Sequence, residues 1–284
     1  MRHIPLWAGA IPLFAAASAH AQFITPIEGT RSVSATISAT FSGQNIVHED
    51  TRRTYDFEDF THGIVLKASD DPQYDDTHTH VDANGSGTET SRITGSRITA
   101  SVSATAEGLA VVSTARGYAT GNADFYLTFH INRLARYVAA GDATADSNAG
   151  SSYPLFGGAA SLVHIANLDT GEPVISIDIG NTATDSVRRR GWVNAGPYTL
   201  QGDVSALVDA RNNGGAATSS ATWDLDFQLF CPADYDANGT VNTADRDAFL
   251  NAWNAGSLDA DVNGNHSVDA TDRTTYLIAY GAGC

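Results

Sequence analysis

The chain has 284 residues, with 32 Asp and Glu against 16 Lys and Arg, for a formal net charge of −16. A surface so acidic repels phosphate backbones, which argues against nucleic acid as a partner. With 42% hydrophobic residues and only two cysteines, the chain can close an ordinary core and is not a disulfide-dense scaffold.

The first residues predict an export signal. A basic start (Met1, Arg2, His3) leads into an apolar stretch from Ile4 to Ala17 and then Ala19-His20-Ala21, the small-x-small pattern of a cleavage site. The mature chain is expected to begin at Gln22. Loss of Arg2 takes its charge from −16 to −17. The apolar stretch is short for a bilayer span and no other stretch is long enough, so a secreted chain without a membrane span is expected.

From Gln22 to Phe230 the pattern is that of strands. Thr30–Phe41 alternates, with Val33, Ala35, Ile37, Ala39 and Phe41 on one face. The same period of two recurs in Asp124–His130, Tyr198–Val204 and Trp223–Leu229, where Trp223 reads as core. Shorter β-rich runs lie near Ile93–Ala104, Ala110–Thr114, Ala160–Ile165 and Val174–Ile179. Gly121-Asn122, Gly180-Asn181 and Asn212–Gly215 read as turns between them, and Ala68–Thr90, poor in apolar residues, reads as a long loop. Many short strands without a helical period predict an all-β sandwich, jelly-roll-like, over residues 22–230.

Catalytic signals in this region are sparse. No Gly-x-Ser-x-Gly elbow or His-Glu-x-x-His motif occurs. Asp56 with Glu58, and Asp224 with Asp226, are same-face carboxylate pairs of the kind glycosidases use, although the solvated face of a strand explains both more simply. His78 and His80, with Asp75, Asp76 and Asp82 nearby, fit either a metal site or a polar loop. Arg188-Arg189-Arg190 reads as a solvated turn before Trp192, with an anionic polysaccharide clamp as the sharper alternative. No catalytic residue is assigned.

After Cys231 the pattern changes. Ala248, Phe249, Ala252 and Trp253 share one helical face, as do Tyr276, Leu277, Ala279 and Tyr280. Two twelve-residue segments, Asp234–Asp245 and Asp261–Asp272, superimpose at an offset of 27 residues. Each carries oxygen-bearing side chains at positions 1, 3, 5, 9 and 12, with Val at position 8: the spacing of an EF-hand calcium loop. Ca²⁺ takes six to eight hard oxygen ligands, and a curled loop turns alternate residues inward. The expected ligands are Asp234, Asp236, Asn238, Thr240 (carbonyl), Asn242 and Asp245 for one ion. For a second they are Asp261, Asn263, Asn265, Ser267 (carbonyl), Asp269 and Asp272. At position 6, Gly239 is replaced by His266, which predicts a weaker second loop because a left-handed backbone is expected there. Cys231 and Cys284 bracket the segment, and in an exported chain they read as one disulfide, with about 4 kcal/mol of loop-closure stabilisation.

Only Pro232 and Ala233 separate Cys231 from the first ligand, so no helix enters the first loop. A loop–helix unit repeated twice, with Asp at position 12, resembles type I dockerins. The Cys-Pro-Ala-Asp start and Gly-Ala-Gly-Cys end are similar to the planctomycete-type variety ending in Gly-Cys. That resemblance covers Cys231–Cys284 and implies a small α module of two calcium-loop–helix repeats that docks on a cohesin domain. It implies partner contacts at Thr243, Ala244 and Arg246, and at Ala270, Thr271 and Arg273. The Ser-Thr pair usual at loop positions 10 and 11 is absent. The sandwich, through Gly196-Pro-Tyr-Thr-Leu200 and its final strand, loosely resembles non-catalytic domains of exported bacterial surface proteins. The organisation expected is therefore signal peptide 1–21, sandwich 22–230 and calcium-binding docking module 231–284. The sandwich is either a glycan-binding or structural display or, as the alternative, a carbohydrate-active enzyme acting on polysaccharide.

Overall fold

A computed structural model describes residues 22–41, 44–69, 81–110, 116–149, 156–211 and 215–283. The expected signal peptide, Asp75, Asp76, His78, His80 and Cys284 lie outside the described residues. Twelve strands precede two helices. In chain order they are β1 (Ile24–Phe41), β2 (Gln44–Thr54), β3 (Phe60–Ser69), β4 (Val81–Ile93), β5 (Arg97–Ala110) and β6 (Arg116–Ile131). There follow β7 (Ala135–Ala149), β8 (Phe156–Asn167), β9 (Pro173–Gly180), β10 (Ala183–Val193), β11 (Gly196–Arg211) and β12 (Gly215–Phe230). The helices are α1 (Thr243–Asn254) and α2 (Ala270–Ala282), with a 3₁₀ turn at Leu258–Ala260 between them.

The strands form two six-stranded antiparallel sheets, in the orders β2-β1-β6-β11-β8-β9 and β10-β7-β12-β5-β4-β3. β1 lies over β4, β6 over β5, β11 over β12 and β9 over β10, so the expected all-β sandwich is what forms. Period-two burial sets the core. Val33, Ala35, Ile37 and Ala39 are buried on β1, while Trp223, Leu225, Phe227 and Leu229 are buried on β12.

The core is graded along the strands. Near Phe230 it is aromatic: Phe129 stacks on Tyr198 at 5.9 Å, Tyr137 packs on Phe227 at 5.9 Å and Phe125 meets the Trp223 edge at 6.3 Å. Toward the opposite end the interior is Ala83, Ala104, Ala106, Ala119, Ala206 and Ala210, with glycines between them. There the sheets nearly touch. A Cβ added at Gly121 would lie 2.0 Å from the Ser86 carbonyl oxygen, and one at Gly85 2.4 Å from that of Thr120.

This gradient corrects three sequence expectations. Gly121-Asn122 is not a turn; it lies in the middle of β6, where glycine admits the facing sheet. The loop expected over Ala68–Thr90 contains β4 from Val81, whose inward positions include Ala83, Gly85, Gly87 and Glu89. Its interior faces are too small to register as an apolar alternation. Arg188, Arg189 and Arg190 belong to the edge strand β10 rather than a turn, and their exposed guanidiniums are those of a strand with one open edge.

The segment after β12 has its own core. Phe249 and Tyr276, both fully buried, stack at 3.8 Å and 14° across α1 and α2. Tyr235 stands edge-on to both rings, and Ala260 and Val262 complete the cluster. Cys231 is disulfide-bonded, with its sulfur 3.9 Å from the Gly283 carbonyl oxygen. The last described residue therefore returns to the start of the module. Among the described residues, no helix is long and apolar enough to cross a membrane.

Candidate metal centre

The two acidic segments fold into loops with the same internal wiring. The position-1 carboxylates, Asp234 and Asp261, each accept the amides of positions 5 and 6: Asn238 at 3.0 Å and Gly239 at 2.8 Å, Asn265 at 3.2 Å and His266 at 2.7 Å. The position-12 carboxylates, Asp245 and Asp272, each accept the amides of positions 3 and 9. Those distances are 3.1 and 2.8 Å in the first loop, 3.2 and 2.9 Å in the second. Position 5 accepts the amide of position 7 in both, Thr240 at 2.8 Å and Ser267 at 2.9 Å. Asn242 and Asp269 then cap α1 and α2, with Asp245 and Asp272 completing capping boxes. The aspartate that closes each loop thus also starts each helix, which is why loop and helix follow without a gap.

Each loop requires a left-handed backbone at positions 4 and 6. In the first these are Ala237 (φ 60°) and Gly239 (φ 85°); in the second, Gly264 (φ 72°) and His266 (φ 62°). Each loop therefore has one glycine and one residue with a side chain at these positions, in opposite order. The backbone cost that His266 predicts for the second loop is matched by Ala237 in the first, about 1–2 kcal/mol each. Loop strain does not make the second loop the weaker one.

The donor set fits a hard divalent cation. Carboxylate oxygens of Asp234, Asp236 and Asp245 lie within 4.8 Å of one another, a span that one ion with ligand bonds of about 2.4 Å bridges. Burial and the neighbouring Asp245 and Asp236 charges push the Asp234 carboxyl above its usual range, against the two loop amides that stabilise its charge. A cation would remove that repulsion. In the second loop the carboxylates are Asp261, Asp269 and Asp272, with amide oxygens on Asn263 and Asn265; among the described residues, the three-carboxylate convergence within 4.8 Å occurs in the first loop and not in the second. The Thr271 amide holds Asp269 below the usual carboxylate range.

The residues implied as partner contacts fall at the two helix starts. Thr243, Ala244, Ala270 and Thr271 are exposed. Arg246 is half-buried and paired with Asp247 at 2.8 Å, whereas exposed Arg273 lies over the Trp253 ring at 5.3 Å.

The sandwich carboxylates have other partners. Asp56 and Glu58 do not share a strand: they sit in the 55–59 link, where the buried Arg31 guanidinium binds the Asp56 carboxylate at 2.8 Å and the Glu58 carbonyl at 2.8 Å. Asp226 is held by Arg97 through two bonds of 2.7 Å, and Asp224 faces solvent beside it on β12. One arrangement has no counterpart in the sequence pattern. Asp124 on β6 and Asp203 on β11 stand opposite each other on an outer face, in a groove of about 280 Å³ that also includes Asp178, Asn122 and Ser205. Burial pushes the Asp203 carboxyl up, against a hydrogen bond from Gln201.

The sequence also gives no direct sign of the contact between sandwich and module. Leu134 and Trp192 of the sandwich pack against the module's cluster, and Arg136, Arg190 and Trp192 converge on Asp259. The Arg-Arg-Arg-Gly-Trp run on β10 was the available signal.

No family model matches the chain, and no curated protein does. Solved structures that align include that of the infectious bursal disease virus Gx strain, at 9% identity over 81% of this chain and 73% of that one, with a TM-score of 0.14. The crystal structure of the infectious bursal disease virus VP2 subviral particle aligns at 9% identity over 92% and 79%, with a TM-score of 0.13. At such TM-scores the alignments carry no argument about fold or function.

Proposed function

We propose that this is a secreted calcium-binding protein that docks through a dockerin-like C-terminal module onto a cohesin-bearing partner, displaying a non-catalytic β-sandwich. The reading rests on one observation above the others: two twelve-residue acidic loops share four amide-to-carboxylate bonds at equivalent positions, to which the second adds those from Val262 and Gly264. Solvated acidic turns have no reason to share that wiring. In the first loop the carboxylate oxygens of Asp234, Asp236 and Asp245 come within 4.8 Å of one another, which supports the reading. Two Ca²⁺ ions would fill the loops, and the exposed helix starts at Thr243 and Ala270 would meet the partner. Calorimetric titration of the mature chain should resolve two calcium sites, and a cohesin from the same organism should retain the protein only with calcium present. Absence of calcium heat would remove the reading.

A second reading is favoured by Asp124 and Asp203. Two facing carboxylates, one raised by burial, are the raw material of an acid–base pair in a carbohydrate-active enzyme. Polysaccharide hydrolysis by the intact protein, lost in Asp203→Asn, would favour that reading. Glycan binding without turnover would favour display.

A further inference from the structure

The module does not hang from the sandwich as a separate bead. Arg136 on β7, fully buried, lies 5.1 Å from the Trp192 ring centroid and 4.5 Å from that of Tyr235. It donates from Nη1 to the Asp259 carbonyl at 3.2 Å, and the Trp192 indole N–H donates to the same oxygen at 2.9 Å. Arg190 grips the Asp259 carboxylate at 2.8 and 3.2 Å. Asn194 donates to the Asn263 carbonyl at 3.5 Å, and His266 stands 3.8 Å from Glu172. Six sandwich side chains, counting Leu134, thus contact the module or its core.

The position of these contacts along the chain matters most. Asp259 and Asn263 lie on either side of Asp261, the first ligand of the second loop. The sandwich donates to backbone carbonyls on both flanks of that ligand; among the described residues, its ring contacts with the first loop are those of Trp192 and Arg136 with Tyr235. From this geometry we propose that the sandwich is a positioning element of the second calcium site, so that filling that loop and seating the module on the sandwich are one coupled equilibrium. The inference rests on the calcium reading above.

The coupling has a physical cause. An ion in the second loop fixes Asp261, and a seated module fixes the backbone on either side of it. Whichever event comes first lowers the ordering entropy left for the other. The coupling is reciprocal: if seating tightens calcium binding, calcium must tighten seating by the same factor. Arg136 sharpens the response. Its Nη2 has no hydrogen-bond partner, and burial opposes its charge, so a half-lifted module would keep a buried cation that has lost the Tyr235 ring and the Asp259 carbonyl. Seated and released states are therefore favoured over intermediates.

The test uses the full mature chain. In the double variant Arg190→Ala/Asn194→Ala, both substituted side chains are at the surface, so the fold is retained. Calorimetry should show the second calcium site weakened about 5-fold or more, with the first unchanged. Small-angle scattering of the wild-type chain should show its maximum dimension increase on chelation and recover when calcium is restored. Calcium binding to both wild-type sites, with the double variant indistinguishable or the scattering unaffected by chelation, would overturn the coupling and leave the calcium reading intact. No calcium heat in the wild type would remove both.

Discussion

Sandwich and module each bury carboxyl groups, and they surround them with different partners. In the sandwich, Glu89 is fully buried between the sheets, accepts from Ser91 at 3.0 Å and has one oxygen without a partner. Burial raises its pKa to about 8, so at neutral pH it is kept as the acid. In the module, Asp234, Asp245, Asp261 and Asp272 are buried too, but each carboxylate is surrounded by loop amides that stabilise its charge. One region removes the charge by protonation. In the other, two or three backbone amides converge on each buried carboxylate. At Glu89 one serine hydroxyl and the charge of the buried Arg31 do not offset the loss of water, whereas a curled backbone supplies several N–H dipoles to each loop carboxylate.

That contrast can be broken most severely on the sandwich side. Gly121→Val places a side chain where the Ser86 and Thr105 carbonyl oxygens already stand, so the sheets must part; a loss of more than about 4 kcal/mol is expected. Denaturant unfolding should register it, and calcium should not rescue it. On the module side, truncating Phe249 to Ala removes one partner of the central stack and should cost about 3–5 kcal/mol, read as loss of the module's own thermal transition. Chelation should lower that same transition while leaving the sandwich transition in place. The effect is about 2.7 kcal/mol per site at a free calcium concentration of 100 times Kd.

The pH response should separate the regions further. The folded Glu89 pKa lies above its unfolded value, so between pH 4.5 and 8 the native state holds the extra proton. Sandwich stability should then fall as pH rises through that window and level off above about 8. Glu89→Gln should flatten the slope in melting temperature between pH 5 and 8; an unchanged slope would assign the dependence elsewhere. The smallest effect is the most local. Ala237→Gly and His266→Gly should each raise module stability by about 0.5–1 kcal/mol, through relief of a left-handed backbone less the entropy glycine loses on folding. Equal gains would support the loop equivalence found here, and a gain at only one position would contradict it.

Legibility in the sequence followed side-chain size. β1 and parts of β6, β11 and β12 were readable because large apolar residues alternate there, as in Phe125, Leu127 and Phe129 of β6. β4 was read as loop and β7 was not recognised at all, because residues such as Ala83, Gly85, Ala139 and Ala143 make up their buried faces. The interior there is closed by the approach of two backbones rather than by apolar bulk, and an alternation of alanine with serine carries little hydrophobic signal. The two loop–helix repeats were legible because residues that cap each loop and helix lie within one short segment. That Ala237, at position 4 of the first loop, has the same left-handed backbone as His266 was not legible in the sequence.

By itself, the sequence determined that strands, ending at Phe230, precede two acidic loop–helix repeats. All of these depend on residues close together in the chain. Only the tertiary structure decided the strand order of the two sheets, the facing of Asp124 and Asp203, the protonated burial of Glu89 and the grip of Arg136, Arg190 and Trp192 on Asp259. Each of those joins residues tens to more than a hundred positions apart, and a local pattern contains no term for such distances.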